Sequence, residues 1–411
     1  MSTTALSAPP APAAPRNAYP QTPAHIIRSA AEAVEVAHRV AAALAENAAQ
    51  RDIERTIPAA ELDLYSQSGL WALNVPASHG GADLSWKVIA QAIAIISAGD
   101  PSVGQLIQNH LDFIDTLRAV GTPAQQDFFF TEILKGLRTG NAFSEFGSKT
   151  AGDFETKITK DGDNYRVNGK KYYCSGAYLA HLVTIIAVDD EKRVYIAVAD
   201  RHAPGLTIDT DWTSFGQRTT ISGAAVIENV LVPADRVVKL PEGPSANGPL
   251  CQIVHAAVDA GIARAAFDET LRFVREYARP WIDAQADKAT DDPHTQFQIG
   301  DIAVRLRASD ALLAKAGRVL DVAVANPTVE TVAAASIAVA EAKVLSTEVA
   351  ILTTNKLFEL GGTRSVLAKF NLDRHWRNAR THTLHDPVRW KFNILGNYYL
   401  NGINPPQHSW I

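Results

Sequence analysis

The sequence predicts an α+β fold in three successive parts: an N-terminal helical domain, a middle antiparallel β domain and a C-terminal bundle of four long helices. Apolar residues recur with a helical period at both ends of the chain but alternate in the middle. The alternating segments are also separated by turn-forming Asp, Asn and Gly residues. The predicted boundaries are a disordered Pro/Ala-rich tail over 1–24, the helical domain over 25–138, the β domain over 139–240, the bundle over 241–400 and a C-terminal tail over 401–411.

Composition limits the classes of function. The 411 residues are 46% hydrophobic and 20% charged, so the chain can bury a core of domain size. Its net charge of −5 offers no basic surplus for a phosphate backbone, which argues against nucleic-acid binding. Cys174 and Cys251 are too few for a disulfide framework, and this favours a reducing cytoplasm. Neither a signal peptide nor an apolar run of about 18 residues is found, so we expect no membrane association.

The N-terminal domain is predicted to be a series of helices. The first is expected to start at Pro23 and the second to extend from Pro58 to Gly69. Two more are predicted at Trp86–Ala98 and Val103–Val120, before a break at 121–123.

The middle domain shows short alternating segments with turns between them, as in antiparallel sheets. The predicted strands are Phe154–Ile158, Tyr165–Tyr173, Val183–Val188, Val194–Val198 and Val226–Val232.

The C-terminal domain shows long amphipathic helices, predicted over 251–278, 293–326, 327–360 and 372–384, with another from 388. A helix of ~33 residues spans ~50 Å, more than one subunit readily covers, so we expect a homo-oligomer.

The densest cluster of polar chemistry lies between Arg374 and Pro387. Three arginines share one helical face, and His382 and His385 lie one turn apart on another. The cluster is compatible with a solvated basic face, with a metal site, or with an acid/base histidine at a helix end. A metal site would need a further ligand, such as His375 or His110, and nothing in the sequence fixes that geometry, so we predict no metal.

Several motifs resemble the acyl-CoA dehydrogenase family in order and spacing. They are Ser144-Glu145-Phe146-Gly147, the 165–171 segment Tyr-Arg-Val-Asn-Gly-Lys-Lys, and Phe215-Gly216-Gln217-Arg218 followed by the 229–233 segment Asn-Val-Leu-Val-Pro. The resemblance implies that family's three-domain fold. The family's catalytic glutamate, however, corresponds to Asp386, which Pro387 follows instead of Gly-Thr, and its alternative position corresponds to Cys251. The desaturation base therefore looks lost at both places.

Residues 377–387 resemble the C-terminal signature of one branch of that family. This branch contains flavin-dependent monooxygenases similar to the dibenzothiophene enzyme and to SfnB-type sulfur-acquisition oxidoreductases. The resemblance implies a cytoplasmic homotetramer that receives FMNH2 from a separate NAD(P)H flavin reductase. It would oxygenate a small organosulfur compound with O2, through a C4a-hydroperoxyflavin. The departure near Asn247 from an aromatic pocket residue disfavours a large flat substrate.

The same resemblance implies roles for individual residues. His385 would be the acid/base, His110 would lie on the substrate side, and Ser175 would bond the N5/O4 edge of the flavin. Further cofactor contacts are expected from Asn141, Ser144, Trp212, Arg279, Gly361, Gly362 and His382, with Arg279 reaching the phosphate from a neighbouring subunit. Seven of them have a structural alternative: core packing for His110 and Trp212, turns for Ser175 and Asn141, and helix C-caps for Arg279 and the glycine pair.

Three other functions remain open at this point. The first is an FAD-dependent acyl-CoA dehydrogenase with Asp386 or another carboxylate as its base. The second is a non-catalytic flavin-binding protein. The third, which the sequence supports least, is a metal-dependent hydrolase built on His382, His385 and Asp386.

Overall fold

The computed structural model describes residues 19–20, 22–147 and 149–411. Residues 1–18 and 21 of the predicted tail lie outside the described residues. The elements follow in the order helices, sheet, helices, so the predicted three-part α+β fold is confirmed.

Seven α-helices form most of the described N-terminal part. They are α1 (Ala30–Ala45), α2 (Ala48–Glu54), α3 (Ala59–Gln67), α4 (Trp86–Gly99), α5 (Pro101–Gln105), α6 (Gln108–Val120) and α7 (Pro123–Leu134). The first helix starts later than the predicted Pro23, because the Ser29 hydroxyl caps it by accepting from the Glu32 amide at 3.2 Å. The predicted helix over 103–120 is two helices, α5 and α6, and Asp100 caps the first of them.

One sheet forms the middle part. Its strands are β1 (Thr139–Ala142), β2 (Lys157–Asp161), β3 (Asn164–Lys171), β4 (Leu182–Val188), β5 (Val194–Asp200), β6 (Leu206–Ile208), β7 (Ala225–Pro233) and β8 (Val237–Lys239). They lie in the order β6-β7-β3-β2-β4-β5-β8, and β1 also pairs with β4.

The sheet is mixed, whereas the sequence predicted an antiparallel one. β4 pairs in parallel with both β1 and β2, and the other pairings are antiparallel. β1 reaches β4 by a crossover through β2 and β3, so no hairpin turn marks this pairing in the sequence. The parallel register brings Asn141 opposite Thr184.

Five α-helices form most of the C-terminal part: α8 (Asn247–Glu276), α9 (Pro293–Ala325), α10 (Val329–Gly361), α11 (Asp373–His382) and α12 (Val388–Asn401). α8 packs so closely on α4 that a Cβ at Gly261 would lie only 2.4 Å from the Ala94 carbonyl oxygen, so only glycine fits here. Of the described helices, α8 alone is long and apolar enough to span a membrane. However, 83% of its most apolar window is buried inside the protein, as in a core helix.

The final two residues, Trp410 and Ile411, pack against the bundle. The Lys391 Nζ donates to the Trp410 carbonyl at 2.7 Å, and Ile411 is buried in a cluster with Ile337 and Ile394. The segment predicted as a C-terminal tail therefore carries Trp410 to the wall of an internal cavity.

Candidate active site

A cavity of about 450 Å³ is lined by segments of all three parts of the chain. This volume is within the usual range of cofactor and ligand pockets, about 300–1,000 Å³. Its walls come from the α5–α6 turn, the segment after β1, residues 173–175, the loop from Trp212 to Ser222, the turn after α11, and Trp410.

A row of hydroxyl groups forms one wall. Ser175 Oγ lies 2.6 Å from Ser222 Oγ, which lies 2.8 Å from Thr220 Oγ1, and Thr220 donates to the Gln217 carbonyl at 3.0 Å. Each hydroxyl has a single proton to donate. Because Thr220 gives its proton to Gln217, Ser222 must donate to Thr220 and Ser175 to Ser222. Ser175 Oγ is thus left as a hydrogen-bond acceptor.

Gln217 brings an unpaired amide to the cavity wall. Both its Nε2 and its Oε1 are buried and have no hydrogen-bond partner among the described groups. The loop is held against α11: Gln217 N donates to Asn378 Oδ1 at 2.7 Å, and a Cβ at Gly216 would lie 2.0 Å from the Arg377 carbonyl oxygen. A buried donor or acceptor without a hydrogen-bond partner costs about 1–3 kcal/mol of stability. This amide is therefore suited to a ligand edge that presents one acceptor and one donor.

His385 faces the same cavity from the turn after α11. Its side chain is 37% exposed, and its Nδ1 lies 3.0 Å from Oδ2 of the fully buried Asp386. Burial alone would raise the pKa of Asp386, but the His385 ring and its hydrogen bond outweigh burial and hold that pKa well below its usual value. Asp386 is therefore ionised and accepts a hydrogen bond from Nδ1–H, which leaves Nε2 to exchange a proton with a ligand.

A second histidine pair lies beneath His385. The ring of His255 stacks on His385 with centroids 3.8 Å apart, and His255 Nδ1 lies 3.2 Å from His382 Nε2. Potential donor atoms of His255, His385 and Asp386 all lie within 4.8 Å of one another. The two rings are tilted by 34°, and His255 Nδ1 is already bonded to His382, so His255 has only Nε2 left to offer a ligand.

The structure brings part of the predicted set together. The predicted residues that line the cavity are Asn141, Ser144, Ser175, Trp212, His382 and His385. The Asn141 side-chain amide donates to the Tyr173 carbonyl at 3.1 Å and so positions the segment after β3 that carries Ser175. The Trp212 indole donates to the Gln217 carbonyl at 2.8 Å.

His382 lines the cavity but has no free ring nitrogen. Its Nδ1 lies 2.6 Å from Asp259 Oδ1, and its Nε2 is occupied by His255. The expected cofactor contact from this ring is therefore corrected to a contact with other protein groups.

His110 does not reach the cavity. It is fully buried; the Thr139 amide donates to its Nδ1 at 3.2 Å, and its Nε2 bonds the Trp71 carbonyl at 2.8 Å. Burial lowers its pKa to about 3, so the ring is neutral. The structure thus places His110 as a core residue, with no nitrogen left for a substrate.

Arg279, Gly361 and Gly362 also lie away from this cavity. Arg279 is exposed in the loop after α8, and the glycine pair ends α10, where Gly362 has φ of 64°. Within a single chain, Gly361 and Gly362 form the C-terminal cap of α10. The Asn247 side-chain amide donates to Thr116 Oγ1 at 3.2 Å, and Asn247 does not line the cavity. It therefore gives no information on substrate size in this structure.

Sequence reasoning missed Gln217, His255 and Trp410. Gln217 lies in the 215–218 motif, which indicated the family but gave no role to this side chain. His255 had no signal beyond a histidine within a long apolar helix. Trp410 lies in a segment that has no periodicity, so its return to the cavity depends on tertiary packing alone.

Comparisons with known proteins agree along the chain. The acyl-CoA dehydrogenase N-terminal, middle and C-terminal domain models match residues 30–137, 144–230 and 253–390. A dibenzothiophene monooxygenase of Rhodococcus erythropolis is 32% identical, over 90% of this chain and 94% of its own length.

Solved structures give the same picture. FMN-bound TdsC from Paenibacillus sp. A11-2 is 29% identical with a TM-score of 0.87, over 92% of this chain and 100% of its own. Methanesulfinate monooxygenase MsuC from Pseudomonas fluorescens is 31% identical with a TM-score of 0.84, over 92% and 99%.

Proposed function

Because the chain belongs to the acyl-CoA dehydrogenase family, in its branch of flavin-dependent monooxygenases, we propose that it oxygenates a small organosulfur compound with FMNH2 and O2. The similar proteins named dibenzothiophene and methanesulfinate monooxygenase, and the FMN in TdsC, support this proposal. A sulfone, sulfoxide, sulfinate or thiophene is the expected substrate type.

The observation that carries the proposal is the His385–Asp386 pair at the cavity wall. When bound, the reduced flavin would supply the activation of O2. The chain supplies a cavity wall and an imidazole whose Nδ1 is held by a buried carboxylate 3.0 Å away. His385 Nε2 can then give or take the proton that oxygen transfer requires.

Two wall groups fit a reduced flavin ring. Ser175 Oγ is left as an acceptor by the direction of the hydroxyl row, and the N5–H of a reduced flavin is a donor. The Gln217 amide offers one donor and one acceptor, which complement the adjacent carbonyl and N–H groups of the flavin pyrimidine ring. Ser175 and Gln217 would thus hold the ring, with Trp212 beside them.

The alternative of acyl-CoA desaturation needs a free carboxylate over the flavin. Among the described residues that line the cavity, Glu145 is the only carboxylate. Its Oε1 bonds Lys171 at 2.6 Å and the Thr156 amide at 3.0 Å, and its Oε2 accepts from the Glu155 amide at 2.7 Å. Asp386 is buried and paired with His385. Neither group is available to remove a substrate proton.

The proposal includes partners and a location. Since FMNH2 is consumed, a separate NAD(P)H flavin reductase must supply it. A homotetramer is supported by large apolar side chains exposed in the C-terminal part, such as Phe297 and Leu400, which are 77% and 83% exposed. The proposed location is the cytoplasm.

An isotope experiment tests the function. The purified protein, FMN, a flavin reductase with its NAD(P)H and ¹⁸O2 are mixed with methanesulfinate, dimethyl sulfone, dimethyl sulfoxide or dibenzothiophene. We expect one labelled oxygen in the product of at least one compound, as measured by mass spectrometry. Omitting the reductase should abolish labelling.

The opposite results would count against the proposal. If no compound is labelled although FMNH2 binds, the protein is a flavin binder without this activity. If the isolated protein carries flavin that an acyl-CoA bleaches without oxygen, the desaturation alternative is correct.

A further inference from the structure

A chain of buried polar side chains begins on α10 and ends beneath His385. Lys343 Nζ donates to Asp259 Oδ2 at 2.8 Å, and Asp259 Oδ1 lies 2.6 Å from His382 Nδ1. His382 Nε2 lies 3.2 Å from His255 Nδ1, and the His255 ring stacks on His385. The side chains of Lys343, Asp259 and His382 are fully buried.

The positions of the protons along this chain follow from Asp259. Burial alone would raise the pKa of Asp259, but Lys343 and His382 outweigh it and hold that pKa at about 2. An ionised carboxylate only accepts, so His382 carries its proton on Nδ1 and presents a lone pair at Nε2. His255 must then donate from Nδ1, which leaves its Nε2 as the lone pair.

The unpaired atoms at the His385 end of this series of hydrogen bonds agree with the assigned proton positions. His255 Nε2 and Asp386 Oδ1 are both buried acceptors with no hydrogen-bond partner among the described groups. A buried acceptor without a partner costs about 1–3 kcal/mol, so packing alone does not favour a histidine here. The arrangement does fix both the plane and the tautomer of His255.

We infer that His255 is a positioning residue for His385. Its ring, anchored through His382 by Asp259 and Lys343, packs against the face of His385 and prevents the latter ring from rotating. His385 therefore keeps Nδ1 on Asp386 and presents Nε2 to the cavity. The inference deepens the proposed function and rests on it for the role of His385, but the ring orientation can be measured without any flavin.

The experiment reads which nitrogen of His385 reacts. Flavin-free protein is treated with bromoacetamide, the peptide containing His385 is isolated, and its Nε2 and Nδ1 products are separated chromatographically. We expect the wild-type protein to react almost entirely at Nε2. His255→Leu, which removes the stacked ring, should give comparable amounts of both products.

A second variant removes the anchor and keeps both rings. The double variant Asp259→Leu/Lys343→Met leaves His382 Nδ1 without its acceptor and leaves no charge buried alone, and it should also lose the preference for Nε2. In both variants we expect kcat for oxygenation to fall by about 10- to 100-fold, while KM and the Kd for FMNH2 stay within about twofold.

Thr347→Val is the matched control. Thr347 Oγ1 donates to the same Asp259 carboxylate at 2.9 Å, but it lies outside the chain of rings. This variant should keep the preference for Nε2. Retention of that preference in His255→Leu and in the folded double variant would overturn the inference, even if the ¹⁸O2 experiment succeeds. If that experiment fails, the product ratio still tests the positioning.

Discussion

His385 is exposed to the cavity, yet its chemistry depends on groups that are buried. Asp386 is fully buried, and it holds one ring nitrogen at 3.0 Å. The carboxylate that fixes the ring is therefore shielded from solvent, while the other nitrogen remains accessible. Both residues lie in the turn between α11 and α12, where Pro387 disfavours a helical conformation of Asp386.

Removing the imidazole should therefore reduce oxygenation without emptying the site. We expect His385→Ala to lower kcat by at least about 100-fold, since a general acid/base contributes about 100- to 10,000-fold. The Kd for FMNH2 should change little, because Ser175 and Gln217 are retained. Leu384→Ala is the control: this exposed side chain lines the same cavity, and its loss should leave kcat within a few-fold. Near-normal turnover by His385→Ala would show that His385 is not the general acid/base.

A different buried carboxyl group couples stability to pH. Burial, and then the neighbouring Asp115, raise the pKa of Asp112 to about 7. In the unfolded chain the pKa of an aspartate is about 4, so the folded state holds this proton more tightly. The resulting stability is fully present below about pH 4 and is lost as the pH rises to about 7.

Asp112→Asn should remove this pH dependence. Between about pH 4 and pH 7 the wild type should lose up to about 1.4 kcal/mol of unfolding free energy per pH unit relative to the variant. The two curves should run parallel above about pH 8. Urea denaturation at several pH values measures this, with Asp190→Asn, at an exposed carboxylate, as the control. Parallel curves throughout would show that Asp112 does not titrate in this way.

At the scale of elements, the segment between β1 and β2 is held by one ion pair. Lys171 Nζ, on β3, donates to Glu145 at 2.6 Å and to the Phe143 carbonyl at 3.1 Å. Glu145 also accepts from the backbone amides of Glu155 and Thr156, so both ends of the segment are tied to it. This segment supplies Ser144 to the cavity wall, and its position depends on the pair.

Breaking the pair on one side should loosen the segment. Lys171→Met leaves the largely buried Glu145 without its cation, which we expect to cost about 3 kcal/mol of unfolding free energy. Proteolysis within 145–155 should become faster. The double variant Lys171→Met/Glu145→Gln should recover part of the stability. Equal stability of Lys171→Met and wild type would mean that the pair does not hold the segment.

Periodicity predicted the elements well where they are long or sequentially paired. The bundle helices and the longer strands, such as Val183–Val188, lie within a few residues of their predicted places. The short strands β1, β6 and β8 were missed, because three or four residues carry no period. A solvated face was one of the alternatives left open for the arginines of α11, but Arg377 is buried against Asp52 at 2.6 Å, a partner more than 300 residues away. Contacts of that kind leave no local pattern.

The same limit applies to the candidate site. The residues near His385 could be found because they are clustered in the sequence. The hydroxyl row, the Gln217 amide and the His255 stack each join distant segments, and only the folded chain brings them together.

For the whole molecule, the open question is where Arg279 acts. It is exposed and away from the cavity of its own chain, next to Trp281 and Ile282, which are 70% and 85% exposed. A cation beside large exposed apolar side chains is typical of an interface between subunits. We therefore propose that Arg279 contacts the flavin phosphate of a neighbouring copy in the proposed oligomer.

Mixed oligomers can test this placement. Arg279→Ala alone should weaken FMNH2 binding, and His385→Ala alone should lack turnover. If Arg279 serves a neighbouring site, co-expressing the two variants restores sites in which His385 comes from one subunit and Arg279 from the other. With pairwise symmetric contacts and random mixing, about a quarter of all sites contain both His385 and Arg279. Oxygenation should therefore recover to about a quarter of the wild-type level. Mixing the two purified variants without subunit exchange is the control and should give no recovery. If co-expression gives none either, Arg279 acts within its own chain or has no role in the site.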